Sequence, residues 1–388
     1  MASPSEQAAY LRRNAVEALP AGELERQLAR AEPLRVKLGI DPTAPDIHLG
    51  HTVVLEKLRE FQDFGHTVVL IIGDYTARVG DPSGRSAMRP VLSGEEIDHN
   101  AETYQRQAFK ILDPDRTEVR RNGEWLDMPA EDLFRLTRHA TVAQLLARED
   151  FANRWKAQQP ISVLELLYPL LQGYDSVAIE ADIELGGTDQ HFNLLLGREI
   201  QQAYGVPPQS ILTMPILPGT DGVARMSKSS GNYIGVDEPP EEIFGKVMSI
   251  PDEAMPTYYS LLTHAAFDPA EHPNQAKRRL ARILVAQFHG DEAAEQAEQH
   301  FDRLFKQRQL PDEVPEFRLP DGDPVHLPAL LRDAFGVSGA EARRLLAGGG
   351  VKLNGEAMLG EQLDVSADRL RGAILQLGKR RFVRLGGR

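Results

Sequence analysis

At 388 residues the chain is too long for one compact core, so two or three domains are expected. With 41% hydrophobic and 26% charged residues and no low-complexity run it reads as globular, and the lack of cysteine excludes disulfides and thiolate metal sites. The net charge of −13 is uneven: from Pro324 onward 11 Lys and Arg face 6 Asp and Glu, a balance of +5 that leaves −18 on the rest. An acidic body with a basic end points toward nucleic acid, although compositional scatter over a short segment can give the same figure. The opening residues lack a signal-peptide core, and the longest apolar runs, such as TVVLIIG at 67–73, are strand-sized. A soluble, cytoplasmic protein with no membrane segment is the expectation.

In chain order, residues 5–31 read as an amphipathic helix. Leu34, Val36, Leu38 and Ile40 alternate with Arg35, Lys37 and Gly39, which is strand periodicity. A helix is expected over 52–64, then a buried parallel strand in HTVVLIIGD, bounded by Gly65 and Gly73. Residues 94–112 read as helix, and TEVRRNGEWLD at 117–127 as a hairpin turning at Asn122-Gly123. Helix returns over 141–174, broken at Pro160, followed by a strand and glycine turn in SVAIEADIELGGTDQ and a helix in HFNLLLGREIQQAYG. Residues 239–307 are mostly helical, punctuated by Pro251, Pro256, Pro269 and Pro273. QLPDEVPEFRLPDGDP, with four prolines and five acidic residues, reads as a linker. The last block carries two helices, LPALLRDAFG and GAEARRLLAGGG, then short strands in VKLNGEAM and RFVRLG. Alternating strands and helices argue for an α/β parallel sheet.

Three glycine-bearing loops lie in the α/β body. No G-x-x-x-x-G-K-[ST] phosphate loop or dinucleotide fingerprint occurs, so any nucleotide is bound by another scheme. LGIDPTAPDIHLGH, 38–51, leads from a strand into a helix start, where free N–H groups and a positive dipole end favour an anion. Its two histidines can touch such a ligand together, or they can simply cap the helix. GDYTARVGDPSGR also follows the carboxyl end of a strand, the edge where open α/β sheets bind ligands. The third loop, PGTDGVARMSKSSGN, carries Arg225 and Lys228 between Gly222 and Gly231. It can close on phosphates and offset charge on a leaving pyrophosphate, or be a solvated basic loop. Tyr168, Gln172 and Asp175 stand at i, i+4 and i+7, on one face of an otherwise leucine-rich helix. Buried there, they need polar partners; the alternative is that they are simply exposed.

HLGH and RMSKS resemble the HIGH and KMSKS signatures of the class I aminoacyl-tRNA synthetases. With GDPSGR, YPLLQGYDS and GGTDQHFN between them, the stretch 38–229 is similar to the bacterial tyrosyl-tRNA synthetase family. The resemblance implies a Rossmann-like parallel-sheet catalytic domain over 1–235 with a connective insertion at about 113–160. A helical anticodon-side domain over 236–308, a linker over 309–324 and a small basic α+β RNA-binding domain over 325–388 would follow. It implies that L-tyrosine is activated with ATP to tyrosyl-adenylate and pyrophosphate, and that the tyrosyl group passes to the 3′ end of tRNA(Tyr). Mg²⁺ would arrive with ATP, with no protein metal site and no tightly bound cofactor, and the chain would form a homodimer.

By the same resemblance, Tyr168, Gln172 and Asp81 hold the α-ammonium, Asp175 takes the phenol hydrogen bond, and Gln190 lies near the reacting carboxyl. Gly187 and Asp189 sit at the ATP ribose, with Asp41 and Gly50 in the nucleotide-side loop. His48 and Thr43 act on the phosphates, and His51 lies near the nucleotide ribose. Lys228, Arg225, Arg85 and Arg89 stabilise departing pyrophosphate. In the tail, Arg343, Arg344, Lys352, Lys379, Arg380 and Arg381 contact RNA phosphates. Two departures stand out. Many members carry tyrosine where this chain has Lys37, as a second partner for the substrate hydroxyl; an ammonium can donate there or turn away. Arg225 replaces the first lysine of KMSKS, exchanging a point charge for a planar fork. Tryptophanyl-tRNA synthetase, a small-molecule nucleotidylyltransferase and a catalytically silent RNA-binding relative are the competing readings.

Overall fold

The computed structural model describes residues 2–30, 32–43, 46–82, 93–228, 230–305, 314–320, 322–358, 363–378 and 381–386. Arg85, Arg89, Lys379 and Arg380 lie outside these residues, as does Ser229 of the RMSKS loop. The chain divides into two compact units, Met1–Glu295 and Gln296–Arg388, and the division falls within the helix Asp291–Phe305. Among the described residues no helix is long and apolar enough to cross a membrane.

The first unit is built on a six-stranded sheet. Its strands are β1 (Glu17–Leu19), β2 (Arg35–Ile40), β3 (Thr67–Ile72), β4 (Thr117–Arg121), β5 (Ile183–Gly187) and β6 (Ser210–Met214), in the order β1-β6-β5-β2-β3-β4. β2 through β6 pair in parallel and β1 joins one edge antiparallel. All five residues of β6 are buried, as are five of the six in β3, because helices cover both faces of the sheet. The apolar, β-branched run in β3 is what that environment demands. The strand order reverses direction between β2 and β5, and the crevice outside their carboxyl ends is where such a sheet offers a ligand site.

The helix that follows β2, Leu49–Asp63, buries Leu49, Val53, Leu55, Leu58 and Phe61. The helix Val163–Ala178 opens with a capping box, Ser162 and Glu165, and tolerates Pro169 in its interior. Helices Pro240–Ser249, Met255–Leu262 and Pro273–His289 complete the unit before Asp291–Phe305.

Some local expectations are corrected. Residues 5–31 do not form one helix: Pro4–Leu11 ends before Asn14 (φ 61°), β1 intervenes, and Glu23–Leu28 starts after Pro20 and Gly22 (φ 76°). The hairpin over 117–127 is absent. β4 instead runs parallel to β3 and feeds the short helix Gly123–Leu126. Asn122 has φ −74°, not the positive φ that a two-residue Asn-Gly hairpin needs, and its side chain and Gly123 N–H are committed to Tyr75 and Asp74.

The strands of the second unit are β7 (Glu316–Arg318), β8 (Val325–His326), β9 (Val351–Leu353), β10 (Glu356–Ala357), β11 (Asp364–Val365), β12 (Ile374–Leu377) and β13 (Arg381–Gly386). They form a five-stranded sheet, β10-β9-β12-β13-β7, and a two-stranded pair, β11-β8. Helices Leu327–Phe335 and Gly339–Ala347 contribute Leu327, Leu331 and Leu346 to a core shared with Val351, Leu375 and Leu385. Part of the expected linker is therefore structured: β7 pairs in parallel with β13, from Glu316↔Arg384 to Arg318↔Gly386. The prolines on either side of β7 limit it to three residues at the sheet edge, where proline is tolerated.

Candidate active site

A cavity of about 560 Å³ opens at the carboxyl ends of β2 and β5. Its lining includes Asp41, Thr43, His48, Gly50 and His51 from the first loop, and Asp81 from the second. It also includes Tyr168, Gln172 and Asp175 from one helix, Gly187, Asp189 and Gln190 after β5, and Arg225 and Lys228 from the third loop. Five separate stretches of sequence thus meet at one crevice. Thr76, Asn122, Tyr104 and Asp46, unflagged in the sequence, also line it.

The first loop is held by its own histidines. His48 Nδ1 accepts from Gly50 N–H at 3.2 Å, and His51 Nδ1 accepts from His48 N–H at 3.2 Å, so the pair caps the helix start reciprocally. Capping and ligand contact were alternative readings; the geometry allows both, because Nδ1 does the capping and Nε2 is left to carry the proton as a donor. The rings lie 3.9 Å apart at 30°. A Cβ on Gly50 would sit 3.0 Å from the His48 ring, so any larger residue there would push that ring aside. Burial, then the His51 ring and Lys228, push His48 down to about 2; burial and Lys228 push His51 down to about 4. Both are neutral at physiological pH.

A pH prediction follows from these two rings. The unfolded chain takes up protons near pH 6.5 that the folded chain refuses, so their stabilising contribution is present above pH 6.5 and is lost as pH falls toward 4 and below. Replacing both with asparagine should flatten the decline in melting temperature between pH 7 and pH 4.5. An unchanged slope would mean that the rings titrate normally.

The third loop is tied down by Asn232. Its Nδ2 donates to Asp221 at 2.7 Å and to the Arg225 carbonyl at 3.1 Å, and its Oδ1 accepts from Ser227 N–H at 2.9 Å. Gly222 and Gly231, with φ of 74° and 67°, provide the left-handed turns on either side. Lys228 Nζ rests on Asp46 at 2.5 Å, and Arg225 approaches Asp189 at 3.7 Å. Both cations therefore rest against carboxylates at the cavity rim.

On the opposite side, Asp175 is buried. It accepts from Trp125 Nε1 at 2.8 Å and from Asn122 Nδ2 at 3.4 Å. Burial raises its carboxyl to about 7, against the opposing pull of Lys37 and of these donors. Tyr168 donates its hydroxyl hydrogen to Asp41 at 3.0 Å, and Thr76 donates to the other oxygen of Asp41 at 2.7 Å. Gln190 Nε2 donates to Asp81 at 2.9 Å, and Arg148 lies 3.6 Å from the same carboxylate. Lys37 does not line the cavity. It is fully buried, 2.9 Å from Glu184, and donates to the Gln172 carbonyl and to Ser176. Among the described residues no group of three or more His, Cys, Asp or Glu side chains is placed to hold a metal ion.

In the second unit, Arg343 and Arg344 are exposed on one helix, Lys352 is half-buried on β9, and Arg381 is exposed on β13. Arg381 lies over the Phe335 ring at 5.5 Å and donates to its carbonyl.

The family model for class I tRNA synthetases (W and Y) matches residues 29–306, which include every lining residue of the cavity. The chain belongs to this synthetase family. The tyrosine–tRNA ligase of Syntrophotalea carbinolica is 51% identical over 405 residues, covering 99% of this chain and 98% of its own length. That of Thermotoga maritima is 50% identical over 397 residues, with the same coverage of each. The tyrosyl-tRNA synthetase of Archaeoglobus fulgidus, solved with L-tyrosine, superposes with a TM-score of 0.64 at 24% identity, covering 76% of this chain and 99% of its own; this likeness carries the fold alone. Besides the lining residues Thr76, Asn122, Tyr104 and Asp46, sequence reasoning in this synthetase missed Trp125, Asn193 and Arg148. Asn193 sits within the GGTDQHFN motif, whereas nothing in the local sequence marks Arg148.

Proposed function

We propose that this chain is a tyrosine–tRNA ligase. It activates L-tyrosine with ATP and passes the tyrosyl group to the 3′ end of tRNA(Tyr). The observation that carries the reading is the meeting in one cavity of Asp175, Tyr168 and Gln172 with the capped His48–His51 pair and Lys228. Relatives about 50% identical over nearly the whole chain carry the same activity in their names.

In this reading a carboxylate oxygen of tyrosine attacks the α-phosphorus of ATP. The bond to the β-phosphate bridging oxygen breaks, and pyrophosphate leaves with its Mg²⁺, which enters as part of the nucleotide. The work is positioning and charge stabilisation, without a covalent enzyme intermediate. Neutral His48 and His51 donate from Nε2, and Thr43 adds a hydroxyl. Lys228 and Arg225, with Arg85 and Arg89, offset the charge of the leaving group. Asp41, Gly50, Gly187 and Asp189 form the nucleotide side. Asp81, Tyr168 and Gln172 take the α-ammonium, with Gln190 near the carboxyl. A ribose hydroxyl of the tRNA then attacks the acyl carbon and AMP departs.

Three wider points belong to the same proposal. The connective region 113–160 and its surroundings form a homodimer interface, because Phe134, Val142, Trp155, Val163 and Leu164 expose 46–76% of their surface there. Residues 236–308 act on the anticodon side. Residues 325–388 bind tRNA phosphates through Arg343, Arg344, Lys352, Lys379, Arg380 and Arg381.

Asp175→Asn tests the phenol assignment. It should lower the preference for tyrosine over phenylalanine by about tenfold or more, the scale of one hydrogen bond to a charged group. Because the folded Asp175 carboxyl is raised, ionising it opposes folding: the cost grows as pH rises from about 3.8 through about 7. Asp175→Asn should therefore also reduce the loss of melting temperature between pH 5.5 and 8. Unchanged selection against phenylalanine would remove Asp175 from the phenol site.

A further inference from the structure

Lys37 and Glu184 stand opposite each other in the parallel pairing of β2 and β5. Both side chains are buried, at 0% and 1% exposure, with Lys37 Nζ 2.9 Å from Glu184 Oε1. Neither lines the cavity, yet both touch Gln172, which does. Lys37 donates to the Gln172 carbonyl at 2.9 Å and to Ser176 Oγ at 2.7 Å. Glu184 accepts from Gln172 Nε2 at 3.3 Å through Oε1, and from Ser176 Oγ at 3.1 Å and Gln209 Nε2 through Oε2.

A side-chain amide has two ends of like shape and opposite chemistry. A carboxylate only accepts, so Glu184 dictates that Nε2 of Gln172 points backward and Oε1 points away from it. Oε1 accepts from Asn193 Nδ2 at 2.9 Å. Asn193 is oriented in turn from its far side, where Arg148 Nη1, which only donates, lies 3.0 Å from Oδ1. The same Nδ2 reaches Gln190 Oε1 at 3.0 Å, and Gln190 turns its own Nε2 to Asp81. An unbroken donor-to-acceptor direction thus runs from Arg148 to the carboxylates of Glu184 and Asp81. With both amides held in this sense, their carbonyl oxygens are the ends able to accept from a cation.

We propose that Lys37 and Glu184 are positioning residues that set the amide polarity of Gln172 and thereby shape the subsite for the substrate's α-ammonium, not for its phenol. The proposal rests on the cleft being the tyrosine site. Lys37 pairs with the buried carboxylate at 2.9 Å, offsetting the cost of burying either group alone. It also ties the Gln172 backbone to β2. An uncharged glutamine at 184 can donate as well as accept, so the Gln172 amide is free to reverse.

The test compares the parent with Lys37→Met/Glu184→Gln and with Lys37→Met/Glu184→Met, which keep side-chain volume and leave no unpaired charge. Three probes are used: L-tyrosine, L-phenylalanine, and 3-(4-hydroxyphenyl)propanoate, which lacks the ammonium. At least the second variant should fold, since replacing a whole buried ion pair by apolar groups is commonly tolerated. The expected result is a KM for tyrosine raised by about tenfold in pyrophosphate exchange, with kcat less affected, the effect of misdirecting one charge-assisted hydrogen bond. Inhibition by the propanoate and the tyrosine-to-phenylalanine ratio should stay within about twofold of the parent. Equal weakening of tyrosine and the propanoate would overturn the proposal in favour of a general packing role. A fall in the tyrosine-to-phenylalanine ratio with unchanged KM would overturn it in favour of a phenol contact. Parent enzyme showing no tyrosine-dependent exchange would overturn the underlying reading instead, a separate result visible before any variant is made.

Discussion

Replacing Lys228 with alanine should slow tyrosine-dependent ATP–pyrophosphate exchange by about a hundredfold or more, the usual loss for one strong transition-state donor. Tyrosine binding should change little. The reason is the layout of the cleft. Lys228 lines the cavity from the third loop, with its ammonium on Asp46, while Asp175, Tyr168 and Gln172 approach from the helix Val163–Ala178. The loop itself should survive the substitution, because Asn232 holds the Arg225 carbonyl and the Ser227 N–H without using the Lys228 side chain. Arg225→Lys should by contrast alter the rate only modestly, since the charge is kept and only the fork geometry is lost. Stopped-flow measurement of adenylate formation separates the two. A Lys228→Ala enzyme that exchanges pyrophosphate at nearly the parent rate would take this residue out of the phosphate site.

Removing the C-terminal unit should leave adenylate formation intact and abolish tRNA charging. The cavity is lined wholly by residues between Leu38 and Lys228, all within the first unit, so the first half-reaction does not need the second unit. The exposed Arg343, Arg344 and Arg381 supply charge suited to phosphates. The cut matters. Deletion from residue 325 would strand β7, which pairs with β13, so the chain should be ended before residue 314. Full charging by the shortened enzyme would show that the tail is dispensable for tRNA.

Much of this architecture was legible along the chain, and the failures have physical causes. β2 and β3 declare themselves by alternation and by an unbroken β-branched run, because one face or both faces of a local segment decide them. The 168–175 face was legible for the same reason: helical spacing alone brings Tyr168, Gln172 and Asp175 together. Asn122-Gly123 misled because a turn-forming pair was read without its tertiary partners. Asp74 and Tyr75 pull that pair into a helix start, and Asn122 ends beside Asp175. Trp125 and Arg148 reach the site across separations that no local pattern encodes. Lys37 is the sharpest case. Its strand position was readable, but its partner Glu184 is fixed only by the register of β2 against β5.

ATP–pyrophosphate exchange by the full-length enzyme, run with each of the twenty amino acids in turn, tests the central claim most directly. The account predicts exchange with tyrosine, little with phenylalanine, and none with tryptophan. Exchange driven by tryptophan, or none with any amino acid, would contradict it.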